Sequence, residues 1–152
     1  MRGIFFLLLA VHLLAAMVWV GGLAFFVLVG VPLARKNPEW QLASALGRAF
    51  RPVGWGALAV LLVTGPLLLA HLGVGWAMLR GDVFWEGAFG RTLFVKILLV
   101  AAVTALTVWH DVRLGPRAER GAASAAVRWA GRAIGLGSLL IVVAGVALAS
   151  GY

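Results

Sequence analysis

The chain has 152 residues, 63% of them hydrophobic and 12% charged, with a mean hydropathy of +1.04. That balance excludes a soluble globular domain and belongs to a membrane protein. The absence of cysteine excludes disulfides, thiolate metal sites and thiol redox chemistry, so any soft-metal ligand must come from His, Met or the backbone. The net charge of +8 is not a nucleic-acid signature, because the cations flank apolar spans, where they meet lipid headgroups and set topology.

Four apolar spans are expected, at about 4–31, 53–74, 92–110 and 133–150, each long enough to cross a bilayer as a helix. The first follows Met1-Arg2 but is far longer than the apolar core of a signal peptide, so it reads as a retained helix. Its only ionisable residue is His12. An ionisable group at membrane depth is costly and marks a functional site by default. Trp19 stands seven residues on, two helical turns away, so the imidazole and the indole share one face, flanked by Ala15, Ala16 and Gly22. Small residues there let another helix approach closely.

The basic stretch Arg35 to Arg51 follows. Pro38 is suited to open a short helix, whose apolar face of Trp40, Leu42, Ala45, Leu46 and Ala49 would lie on the membrane surface. The second span carries Thr64-Gly65-Pro66, and the proline is expected to bend it. Thr64 and His71 share a face. The next loop holds Trp76, Arg80, Asp82, Phe84, Trp85, Glu86 and Phe89, a composition suited to an interfacial aromatic belt.

The third span places Lys96, Val100, Val103, Thr107 and His110 on one stripe, which should face protein or a water-filled cavity. His110 with Asp111 also suits a cap at the end of that helix. Pro116 can start the last helix, where Arg120, Ser124, Arg128 and Arg132 form a basic stripe suited to anionic headgroups. The fourth span has a small-residue seam, Gly131, Gly135, Ser138, Val142 and Gly145, with no ionisable group. It reads as helix packing.

Lys and Arg counts set the topology. Arg35, Lys36, Arg48 and Arg51 lie between spans one and two, and Arg113, Arg117, Arg120, Arg128 and Arg132 between spans three and four. Arg2, Arg80 and Arg91 lie on the opposite side. Nine against three puts both basic segments in the cytoplasm and both termini outside. The fold expected is an all-α integral membrane protein, a single four-transmembrane-helix bundle. On the helical rise, His12 then lies roughly 8–9 Å above the midplane, Lys96 about 7–8 Å and His71 about 12 Å, a polar cluster in the outer half, with His110 at the cytoplasmic edge.

Read in order, His12 with Trp19-Val20-Gly21-Gly22, Phe50-Arg51-Pro52-Val53-Gly54-Trp55, Val63-Thr64-Gly65, Gly90-Arg91-Thr92-Leu93-Phe94-Val95-Lys96, and His110-Asp111 with Gly115-Pro116-Arg117 resemble the CopD family of bacterial copper-resistance inner-membrane proteins. The His-to-Trp-Gly pattern and the span-three Lys also resemble, more distantly, the HemJ-type membrane proteins associated with protoporphyrinogen oxidation and b-haem. The resemblance implies a multi-pass protein of a bacterial inner membrane with a metal or haem site.

Three functions are expected, in this order. In the first, the protein handles copper through His12 and His71, with Met17 and Met78 as weaker soft ligands. It takes copper up or delivers it to a membrane cuproenzyme, with a periplasmic copper chaperone as a further partner. Lys96 is awkward there unless it is neutral or points away. In the second, the protein binds b-type haem: His12 and His71 as axial ligands, Trp19 as a packing wall, Arg91 and Lys96 against the propionates. In the third it is a cofactor-free accessory subunit. Membrane lipids, and a second copy meeting the small-residue faces, are the remaining partners. No catalytic acid–base pair, nucleophile or phosphate-binding loop is present in the sequence, and Asp82, Glu86 and Asp111 read as solvated or interfacial, so an enzyme is not the expected reading.

Overall fold

A computed structural model describes residues 2–30, 41–114 and 125–150, and among these the chain is helical without strands. In lipid every backbone N–H and C=O must be satisfied within its own segment, which leaves a continuous apolar run little choice but helix. Four of the helices are long and apolar enough to cross a membrane: Arg2–Gly30, Ala45–His71, Ala88–Arg113 and Trp129–Ser150. Arg35, Lys36, Pro38 and Trp40 of the first basic stretch lie outside the described residues, as do Gly115, Pro116, Arg117, Arg120 and Ser124 of the second.

The chain divides into two compact units, Met1–Arg80 and Gly81–Tyr152. In the first, α1 (Arg2–Phe25) ends in a π-helical turn, Phe26–Gly30, and packs against α2 (Gln41–His71). The surface helix expected after Pro38 and the second span are one element: α2 runs unbroken through Pro52 and Pro66. Hydropathy marks where a helix enters lipid, not where it begins, so the polar turn around Arg48 and Arg51 looked like an end.

The two helices meet antiparallel. Phe5 stands beside His71 with ring centroids 6.5 Å apart, and His12 beside Thr64. Trp19 stands over Gly54, Gly22 over Phe50 and Phe26 over Gly47. Gly22 is required where it is, since a Cβ there would overlap the Phe50 ring. Ala15, Trp19, Ala57 and Leu58 are the buried apolar residues of this seam.

The end of α2 is built by Gly73, whose φ of +82° no branched residue would adopt cheaply. The Val74 amide donates to the Leu69 carbonyl and the Gly73 amide to that of Ala70 (both 3.1 Å), and Val74 is buried. This is a Schellman stop, and it fixes His71 on the last helical turn. A short helix, α3 (Trp76–Leu79), completes the unit.

The second unit opens with α4 (Asp82–Glu86) and continues into α5 (Ala88–Trp109), a second π-helical turn (His110–Leu114) and α6 (Ala125–Ser150). Phe84, Trp85, Phe89 and Phe94 stack edge-on around the α4–α5 corner. Gly90 sits under that corner, where the Phe84 carbonyl leaves no room for a Cβ. Helices α5 and α6 pack on each other, with Leu93, Val103 and Thr107 buried on one side and Ala130, Ile134 and Ser138 on the other.

That seam is rotated slightly from the one expected on span four. Ser138 and Gly145 belong to it, but Val142 is exposed, and a Cβ at Gly131 or Gly135 would meet nothing within 4 Å. Gly137 is the close-approach position instead, 2.6 Å from Val103 Cγ2 to where its Cβ would stand. Small residues recur all around this helix, so their spacing alone did not select the packed face.

The two units repeat one plan. The π-helical turns Phe26–Gly30 and His110–Leu114 lie 84 positions apart. At the same offset Gly47-Arg48-Ala49 matches Gly131-Arg132-Ala133, and buried Trp19 matches buried Val103.

Candidate functional site

The first hairpin holds His12 by a two-link chain. Thr64 Oγ1 lies 2.7 Å from the Val60 carbonyl, one turn back on α2, and 2.7 Å from His12 Nδ1. A carbonyl oxygen only accepts, so the Thr64 hydroxyl proton is committed to Val60. The oxygen that remains accepts, and His12 Nδ1–H must donate to it. In the neutral imidazole the lone pair therefore belongs to Nε2. Thr64 is 6% exposed and lies beneath a half-buried His12. Gly65 also faces the ring, with His12 Cε1 3.8 Å from where a Cβ would stand, an ordinary contact distance. This is the arrangement by which proteins orient a ligating imidazole: the second ring nitrogen donates to a fixed acceptor.

His71 stands elsewhere on the same seam. Its Nδ1 lies 3.1 Å from the Leu67 carbonyl, so it donates there and carries its neutral lone pair on Nε2 as well. It is exposed, at the end of α2 and beside Phe5. His12 faces Thr64, seven residues earlier on α2, so the two imidazoles are separated by about 10 Å along the helix pair. Trp19 is 6% exposed and fills the seam against Gly54. Met17 is 69% exposed, away from the His12 face, and Met78 is 47% exposed on α3.

The remaining expected residues belong to the second unit. Arg91 is exposed in the first turn of α5. Lys96 is half-buried, with its Nζ turned to Gly145 of α6. His110 opens the second π-helical turn and donates from Nδ1 to Asp111 Oδ1 at 3.2 Å. Thr107 is buried, its hydroxyl bonded to the Val103 carbonyl at 2.7 Å, and Thr104 Oγ1 is buried with no hydrogen-bond partner among the described residues.

Among the described residues no three His, Cys, Asp or Glu side chains stand together as a metal-holding group. Among its described residues the first unit thus presents two oriented imidazoles, His12 within the seam and His71 at the end of α2. Sequence reasoning noticed Thr64 but not its role. The signal was the seven-residue spacing of Thr64 and His71 on α2, which matches that of His12 and Phe5 on α1.

No family model matches the chain, and none of the curated proteins or solved structures compared with it does.

Proposed function

We propose that this chain is a multi-pass protein of a bacterial inner membrane that binds a b-type haem or a closely related metalloporphyrin through His12. The observation that carries the reading is the His12–Thr64–Val60 chain of hydrogen bonds, which orients the ring and, in the neutral imidazole, places the proton on Nδ1. Ligand count separates haem from a bare ion. A metalloporphyrin brings four nitrogens and asks the protein for one axial imidazole, whereas a held copper ion asks for at least two protein donors. His12 fits the first demand alone. Bound haem would supply one-electron redox chemistry; His12 would ligate, Thr64 would orient it, and the apolar faces of α1 and α2 would keep water away.

The fixed Nδ1 of His71 favours a second reading, copper handling. Two separately oriented imidazoles on one seam then serve as successive single-donor stations for copper passing between a periplasmic chaperone and a membrane cuproenzyme. In both readings the nine-to-three bias of Lys and Arg supports cytoplasmic basic loops and termini outside.

The test is a visible spectrum of the detergent-purified protein, as isolated and after dithionite. A Soret band that sharpens on reduction and is lost in His12→Ala is the expected result. A featureless spectrum, before and after loading with hemin, overturns haem; bound copper that falls in both His12→Ala and His71→Ala would then establish the second reading. Neither haem nor copper would leave the accessory subunit.

A further inference from the structure

The 84-residue repeat sets Lys96 in the second hairpin at the position His12 holds in the first. Each lies seven residues before the buried seam residue of its helix, Trp19 in one case and Val103 in the other. Lys96 also turns inward as His12 does: its Nζ is 3.2 Å from where a Cβ on Gly145 would stand. The partner differs. Thr64 accepts from His12, but the residue at the same offset in α6 is Leu148, which accepts nothing.

Lys96 has neither a hydrogen bond nor an ion pair among the described residues. The sequence explains why. Its five acidic residues are Glu39, Asp82, Glu86, Asp111 and Glu119, and none lies within α5 or α6. Asp111 is fifteen residues on, about 22 Å of helical rise, and Glu86 precedes the start of α5, about 12 Å from the level of Lys96. A cation at membrane depth is retained against its cost when it pairs or serves a ligand.

We propose that Lys96, over Gly145, binds the carboxylate of a membrane-soluble acid: an amphiphile with one anionic head and an apolar body. Gly145 lets the ammonium lie close against α6, and the side chains exposed at this level are apolar, Val95 and Ile97 on α5 and Val146 on α6. The head meets Lys96 and the tail meets surfaces already suited to hydrocarbon. A charge-assisted pair in a low-dielectric site is the strong form of hydrogen bond. The inference uses no residue of the first hairpin.

The test is electron paramagnetic resonance of the full-length protein in nanodiscs of zwitterionic lipid. The probes are spin-labelled stearate and, separately, spin-labelled phosphatidylglycerol. The expected result is an immobilised stearate population whose affinity falls about tenfold in Lys96→Gln, is kept in Lys96→Arg, and falls in Gly145→Val, where the side chain would displace the ammonium. Phosphatidylglycerol should show no dependence on residue 96. Stearate retained equally by Lys96→Gln overturns the proposal. Dependence on Lys96 for phosphatidylglycerol but not stearate also overturns it, and assigns the cation to a lipid phosphate instead.

Discussion

Thr64→Val is the substitution on which the reasoning about His12 rests most directly. Valine keeps the branched shape of Thr64 and deletes its oxygen, so packing in the buried seam is preserved and the hydrogen bonds are not. The Val60 carbonyl keeps its place in the backbone ladder of α2, but the His12 Nδ1–H loses the acceptor 2.7 Å away. Side-chain hydrogen bonds within membranes average about 0.6 kcal/mol and reach about 1.7, so the fold should lose about 1 kcal/mol and survive. Ligand binding should lose more. Without Thr64 the imidazole proton is free to sit on Nε2, the ligating atom, and loss of such an orienting partner costs about 10–100-fold in affinity, or about 1.4–2.7 kcal/mol. Hemin titration of purified Thr64→Val, Thr64→Ser and wild type, followed at the Soret maximum, measures this. Serine keeps the oxygen, so Thr64→Ser should stay within about threefold of wild type. If Thr64→Val binds hemin as tightly as wild type while its thermal midpoint drops, Thr64 only packs, and the tautomer argument is refuted.

His12→Ala should abolish cofactor binding with the helical circular dichroism signal unchanged; retained cofactor would remove His12 from the site. His110→Ala should leave cofactor content nearly unaltered, since its ring is held by the adjacent Asp111 on the second unit's π-helical turn; a large loss would bring His110 into the site. Gly137→Val should destabilise the α5–α6 hairpin by about 1–3 kcal/mol, because even a Cβ there approaches buried Val103 to 2.6 Å, and an unchanged thermal midpoint would show that the seam yields. The chain has no cysteine, so single-cysteine labelling is clean: an impermeant maleimide should label Ser150→Cys on intact spheroplasts and Ala45→Cys only after permeabilisation, and the reverse pattern would invert the proposed topology.

The spans were readable because apolar length alone decides them, and so was the face of α1 that carries His12 and Trp19, because two turns of helix separate the pair. The end of α2 was less so: the apolar count ran on to Val74, while the helix stops at His71, where Gly73 takes a positive φ. Proximity was harder still. Estimated heights put His71 a few ångströms above His12, but only the observed register, Phe5 to His71 and His12 to Thr64, shows them two turns apart on one seam. The packed face of α6 was misread at Gly131 and Gly135 because glycine spacing says where a neighbour could approach, and Val103 decides where one does.

The repeated plan has a consequence for what such a protein can carry. Two identical hairpins associating as a symmetric dimer must carry every substitution twice, so a residue tuned in one copy is imposed on the other. Joined on one chain, the copies vary independently. The same register position has become a histidine held by threonine in one hairpin and a lysine beside glycine in the other. One helical plan thus carries an imidazole in one hairpin and an amine in the other, a pair of chemistries that no symmetric assembly of a single hairpin could hold at that position.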